Sequence, residues 1–174
     1  MAAPISALDA MSVPLATLLR RCERKKTLYS AKIAAGYFIS MDQYTLYFDG
    51  SSKPNPGPAA FAYILLGPDG RIVKKSGGNL GVATNNLAEY SGLIFGLIGA
   101  LKQKVTELVV CTDSLLLVKQ INGEYKVRDE NLRKFYVIAR EILGLFSTVE
   151  VRHISHRENR AHDLSQSYLA TSLF

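Results

Sequence analysis

Residues 46–65 read "LYFDGSSKPNPGPAAFAYIL". An apolar, aromatic run ends on a carboxylate, Asp49. A stretch dense in Ser, Pro and Gly follows, and then a second apolar run begins. Alternation and aromatic content before the acid predict a strand over Tyr44–Asp49, and the second run predicts another over Ala59–Leu66. The Gly/Pro stretch between them reverses the chain. An acid at the end of a buried strand either caps the hairpin or belongs to a charged site.

The pattern continues on both sides of a second turn. "GPDG" at 67–70 signals a hairpin, and Arg71–Gly78 reads as a third strand. "TNN" at 84–86 supplies capping residues for a helix whose Leu87, Tyr90, Ile94, Leu97 and Leu101 recur at helical spacing. Glu107–Thr112 is a short, nearly continuous apolar run, as expected of a strand buried on both faces. Ser114–Asn122 reads as a short helix closed by Gly123. Asp129 caps a long helix with Leu132, Phe135, Ala139, Ile142 and Phe146 on one side. Val149–Ile154 alternates as a fifth strand, and Asn159–Ala170 reads as a final helix. This order implies an α/β fold with a five-stranded mixed sheet. Strands 1–3 are antiparallel, and strands 4–5 arrive through crossover helices and run parallel to strand 1.

The chain has 174 residues, 48% of them hydrophobic, enough to bury one core. Its two cysteines, Cys22 and Cys111, make no disulfide framework. Cys111 lies in "LVVCTD" and reads as a reduced core thiol, which favours an intracellular protein. No run approaches the roughly 20 apolar residues of a membrane span. The formal net charge of +6 leans weakly toward a polyanionic partner.

Residues 1–43 form a basic extension distinct from a domain at 44–174. They hold six Lys/Arg and three acids, with Arg20, Arg21, Arg24, Lys25 and Lys26 clustered in "LLRRCERKK". The charges follow the apolar "PLATLL" instead of preceding it, the wrong order for a secretory signal. A transit segment for a mitochondrion or plastid, a flexible basic arm and a short packed helix all stay open. Cytoplasm or nucleus is expected otherwise.

Four acids stand apart from the solvated ones. Asp49 ends the first strand, and Asp113 follows "ELVVCT" at the C-terminal edge of the fourth, where open α/β sheets place their sites. Glu89 lies in the first turn of an apolar helix. On that helix Gly92, Gly96 and Ala100 form a row of small residues, which signals close approach to the sheet. Asp163 lies in the final helix. Each acid alone is compatible with a cap or a dipole contact. Together in one place they would repel, and no basic residue sits in the apolar runs to neutralise them. An all-oxygen donor set selects a hard cation, Mg²⁺ or Mn²⁺. Two such ions about 4 Å apart serve phosphoryl transfer.

At these residues the chain resembles the type 1 ribonuclease H family. The motifs run in order: "FDGSSKPNPGPAAFAY", "TNNLAEY", "VVCTDSLLLVKQING" with "YKVRDENL", and "HISHRENRAHDLS". The resemblance covers about 44–170, and each of the four motifs delivers one acid. It implies that Asp49, Glu89, Asp113 and Asp163 are catalytic carboxylates holding two Mg²⁺ or Mn²⁺ ions. It implies an endonuclease that cuts the RNA strand of an RNA–DNA hybrid, leaving a 3′-hydroxyl and a 5′-phosphate. The lack of an inserted basic helix after "NGEYKVRDENL" resembles the compact, prokaryotic and plant-like branch. Asn55, Asn85 and Asn86 are substrate-binding candidates, since amides suit a 2′-hydroxyl; Ser51 joins them as the start of a turn that can present backbone groups to the minor groove, and Thr84 matches a contact to a DNA-strand phosphate. The family's mobile histidine has two candidates, His153 on a strand and His156 in a loop.

Two departures stand out. Pro54 replaces a frequent Gly, and His162 replaces a small residue and is expected to point to solvent. With no Trp in the chain, stacking would fall to Tyr or Phe, such as Tyr125. The expected partner is an RNA–DNA hybrid, with no membrane association, and a monomer is expected. The alternatives are a catalytically weak or inactive nucleic-acid-binding module of the same fold, and the same metal chemistry on another nucleic acid.

Overall fold

The computed structural model describes residues 43–171. The basic cluster Arg20–Lys26, Cys22 and the three readings of the N-terminal extension lie outside the described residues.

Five strands make one mixed sheet in the order β3-β2-β1-β4-β5. β1 (Tyr44–Ser52), β2 (Gly57–Leu66) and β3 (Ile72–Ala83) pair as consecutive antiparallel hairpins. β4 (Glu107–Thr112) runs parallel to β1, and β5 (Thr148–His153) parallel to β4. The first crossover is helix α1 (Asn85–Lys102), the second is α2 (Leu115–Ile121) with α3 (Glu130–Leu143), and α4 (His162–Thr171) follows β5. No helix is inserted between α2 and α3. Among the described residues no helix is long and apolar enough to cross a membrane.

Strand periodicity sorts β1 into two faces. Leu46 and Phe48 are fully buried and lie against α1, while Asp49 faces α4. The main core forms between the sheet and α1–α3, around Leu46, Phe48, Leu65, Leu93, Leu97, Leu108, Val110 and Leu117. β4 is buried from Leu108 through Thr112, as its continuous apolar run requires.

Helix α1 lies unusually near the sheet because small residues face it. A Cβ on Gly92 would come within 2.8 Å of the Asp49 carbonyl oxygen. One on Gly96 would meet the Leu46 side chain at 2.9 Å, and one on Gly99 the Tyr63 hydroxyl at 2.7 Å. Across the contact, a Cβ on Gly50 would fall 2.1 Å from the backbone of Ala88 and Glu89. The row of small residues therefore sets the height of Glu89 over the end of β1.

Several boundaries differ from the sequence expectation: β1 runs past Asp49 to Ser52, β2 starts at Gly57, β5 is Thr148–His153, and the long helix ends at Leu143, short of Phe146; the largest differences are in β3 and α4. β3 runs on past Gly77 and Gly78 to Ala83, because β2 begins at Gly57 and pairs with it throughout. The Tyr168 ring occupies the space a Gly77 side chain would take. Helix α4 starts at His162, not Asn159. A one-turn 3₁₀ helix at His156–Glu158 precedes it, closed by a capping box between Ser155 and Glu158.

Candidate active site

Three of the four acids meet at one end of the sheet. Asp49 sits near the end of β1 and Asp113 directly after β4, its parallel neighbour. Glu89 is delivered by α1, as its fifth residue and so just past the first turn where the sequence placed it. Thr84 caps that helix by accepting from the Leu87 amide at 3.3 Å. Ser114, not Asp113, caps α2, so Asp113 is left free of the capping role that its position also allowed.

Each carboxylate is tied by nearby donors. Ser165, fully buried on α4, donates to Asp49 Oδ2. His162 Nδ1 lies 3.2 Å from the same oxygen. Glu89 Oε1 accepts from Asn85 Nδ2 at 2.9 Å, and Oε2 accepts from the Ser114 hydroxyl. Asp113 Oδ1 accepts from Asn159 Nδ2 at 2.6 Å, and Oδ2 lies 2.6 Å from His156 Nδ1. Asn159 is itself buried and also meets the Phe48 carbonyl at 3.0 Å, which ties Asp113 to β1.

The electrostatics follow from this layout. Burial pushes Glu89 up to about 7; the Ser114 hydrogen bond opposes this, and the charges of Asp49 and Asp113 add to it. Burial also raises Asp49, against its bond from Ser165 and together with the Asp113 charge. Burial acts upward on Asp113 too, but hydrogen bonds from His156 and Asn159 outweigh it and hold the group below the usual range. The three acids are thus electrostatically coupled.

Asp163 is different. It lies exposed in the first turn of α4, with no hydrogen bond to the other acids. The expectation that His162 points to solvent is corrected. Its side chain is 28% exposed, turns toward Asp49 and packs edge-on against His156 with ring centroids 3.9 Å apart. His156 combines contact with Asp113 and a side chain 60% exposed. His153 ends β5, exposed and without a bond to the acids.

The substrate-binding candidates cluster about the turn and the start of α1. Asn55 Oδ1 accepts from the Asn85 amide at 3.0 Å, joining the turn to the helix. Thr84 and Asn86 are exposed, and Asn85 is half-buried with its amide on Glu89. Ser51 is buried, and its hydroxyl is the only such polar atom among the described residues without a partner. Pro54 fits through Gly57: a Cβ there would meet the Pro54 carbonyl oxygen at 2.4 Å and its ring at 2.8 Å. Tyr125 is 49% exposed, with Lys119 Nζ 3.3 Å from its hydroxyl.

Ser114, Asn159 and Ser165 were not singled out by sequence. Their one signal was membership of the motifs that carry Asp113 and Asp163.

The residues suit a hard divalent cation. Three coupled carboxylates gather at one place, two of them with raised affinity for a proton, and no Lys or Arg pairs with them among the described residues. Among those residues, no three His, Cys, Asp or Glu side chains are drawn close enough to form a preassembled metal cage. Five of the six carboxylate oxygens, all but Asp49 Oδ1, are engaged by Asn, Ser and His partners instead.

Comparison with known proteins places the chain in context. The "Reverse transcriptase-like" family matches residues 47–167. A ribonuclease HI of Halobacterium salinarum is 40% identical over 117 residues, covering 67% of this chain and 59% of that protein. A ribonuclease H of Sulfurovum is 35% identical, covering 70% of this chain and 86% of that protein. The chain spans only 32% of the length of a bifunctional Mycobacterium tuberculosis relative. The N-terminal RNase H domain of that mycobacterial protein, solved as a maltose-binding-protein fusion, superposes with a TM-score of 0.74 at 34% identity. The match covers 76% of this chain and 96% of that one. LC11-RNase H1, solved in complex with an RNA/DNA hybrid, gives a TM-score of 0.71 at 29% identity, covering 75% and 99%.

Proposed function

The chain belongs to the ribonuclease H family, and on that footing we propose that it is an endonuclease cutting the RNA strand of RNA–DNA hybrids. The products carry a 3′-hydroxyl and a 5′-phosphate. The family generally works with divalent metal ions. Two Mg²⁺ or Mn²⁺ ions would be held by Asp49, Glu89, Asp113 and Asp163. When bound, such ions activate water and stabilise the leaving oxygen. The observation that carries the reading is the convergence of Asp49, Glu89 and Asp113 on one sheet end, each raised or held by its surroundings.

The chain's own groups do the rest. Asp113 stays ionised at neutral pH and keeps negative charge beside Asp49. Asn85 orients Glu89 through Oε1, and Ser114 does so through Oε2. The Asn55–Asn85 bond joins the turn to the start of α1, so substrate meets one continuous ledge. Asn55, Asn85 and Asn86 supply the donors and acceptors that read a 2′-hydroxyl. Thr84 and the N-terminus of α1 receive a phosphate of the DNA strand. His156, exposed and in contact with Asp113, assists turnover; His153 does not.

The test is a cleavage panel of end-labelled RNA–DNA hybrid, duplex RNA and duplex DNA in Mg²⁺ and in Mn²⁺. The expected result is cutting of the RNA strand of the hybrid alone. Binding of the hybrid without cleavage in either ion would make the protein a binding module. Cutting of duplex RNA or duplex DNA would change the substrate.

A further inference from the structure

Helix α4 reaches the site by a route separate from the acid it carries. Ser165 is fully buried on this helix, 116 positions from Asp49, and its hydroxyl meets Asp49 Oδ2. The same Oγ also lies 2.8 Å from the His162 carbonyl. One hydroxyl proton serves one acceptor, and an ionised carboxylate is the stronger of the two. Alanine would fill nearly the same volume at this position without placing a polar group in the interior. A buried hydroxyl costs free energy unless it is bonded, so the Asp49 contact is the reason for a serine there.

The oxygens of the three clustered acids give the contact its meaning. Glu89 and Asp113 each have both oxygens engaged by side-chain partners. Asp49 has both of its contacts, Ser165 and His162, on Oδ2. Its Oδ1 takes no hydrogen bond from the described residues. The asymmetry comes from α4, which approaches Asp49 from one side only.

We infer that Ser165 is a positioning residue for Asp49. By pinning Oδ2 it fixes the carboxylate so that Oδ1 is the oxygen offered to a divalent cation. The inference rests on the reading of this site as a divalent-cation centre. His162 supports the same orientation from the preceding turn, but Ser165 is the buried donor whose removal leaves the helix surface intact.

The experiment compares wild type, Ser165→Ala and Ser167→Ala. Ser167 is exposed and bonds only to its own helix at the Leu164 carbonyl, so it controls for loss of a hydroxyl on α4. Two readouts are taken: Mn²⁺ binding by electron paramagnetic resonance without substrate, and the Mg²⁺ midpoint of hybrid cleavage. Removing a group that orients a metal ligand typically weakens metal affinity about 10–100-fold. Ser165→Ala is expected to raise both the Mn²⁺ Kd and the Mg²⁺ midpoint by about 10-fold, with the saturated rate near that of wild type. Ser167→Ala is expected to match wild type in both. An unchanged Kd and midpoint with only a lowered Tm would overturn the inference and leave Ser165 as packing. Should Ser165→Ala fail to fold, Ser165→Cys keeps the volume and weakens the donor, and is judged by the same two readouts. If wild type binds Mn²⁺ but cuts no hybrid, the enzymatic reading fails while the Kd comparison still decides the role of Ser165.

Discussion

The end of the sheet and the first turn of α4 both carry acids, and they hold them in opposite ways. At the sheet end, Asp49, Glu89 and Asp113 are fixed by strand register, by a helix resting on glycines, and by hydrogen bonds from Asn85, Ser114, Asn159 and Ser165. In α4, Asp163 is exposed and makes no bond to the others, while its neighbours His162 and Ser165 turn inward to Asp49. The helix thus contributes more to the site through the residues beside its acid than through the acid itself. An acid fixed by backbone contacts is set when the sheet forms, whereas one on a helix surface depends on that helix's rotation.

The largest test of this contrast is isosteric neutralisation. Asp113→Asn is expected to lower hybrid cleavage by on the order of 10³-fold or more, about 4 kcal/mol in the barrier. Asp163→Asn is expected to cost only about 10-fold, near 1.4 kcal/mol. Equal losses in single-turnover assays would break the distinction between the two regions.

Next in size is the pH dependence of stability in cation-free protein. Glu89 releases its proton near 4.5 in the unfolded chain but only at about 7 in the native fold. Between those values the unfolded state binds fewer protons, so stability falls as pH rises, and the loss is complete above about 7. One carboxyl shifted this far is worth about 3 kcal/mol. Asp113, held low, acts with the opposite sign: its contribution is present above its unfolded value and is lost as pH falls. Urea titrations in EDTA across pH 4.5–8 are expected to show a shallower decline for Glu89→Gln than for wild type. Parallel curves would show that Glu89 is not held by the sheet end as described.

The smallest of the three bears on what fixes that end. Gly92→Val would push α1 off the Asp49 backbone and is expected to cost about 2 kcal/mol in denaturant unfolding. The same change at Gly78, where a Cβ would meet Phe61 at an ordinary 3.5 Å, is expected to be milder. Equal costs would mean that α1 has room to move.

Much of this was legible in the sequence, for local reasons. Strand alternation, the caps at Thr84 and Asp129, and the small residues of α1 all act over a few positions and appear as expected. The four acids stood out because each reads in the sequence as lying near the start or end of an element, and three of them meet at the sheet end. The polar clamp was not found. Asn159 to Asp113 and Ser165 to Asp49 join residues 46 and 116 positions apart, and neither partner is unusual in its own neighbourhood. The inward turn of His162 was misjudged for the same reason: nothing adjacent in sequence marks which face of α4 meets β1. The full length of β3 was hidden by Gly77 and Gly78, which look like an ending until the Tyr168 ring fills the space beside them.

The glycines of α1 also bear on the order in which the molecule is made. Gly92, Gly96 and Gly99 each weaken an isolated helix by about 1 kcal/mol relative to alanine. A peptide spanning 85–102 therefore has little helix of its own, and the segment gains that structure by lying on β1 and β2. Glu89 is brought to Asp49 only after the first hairpin exists to receive the helix. The three acids that meet at the sheet end therefore come together through tertiary contact, not through any one segment's own structure.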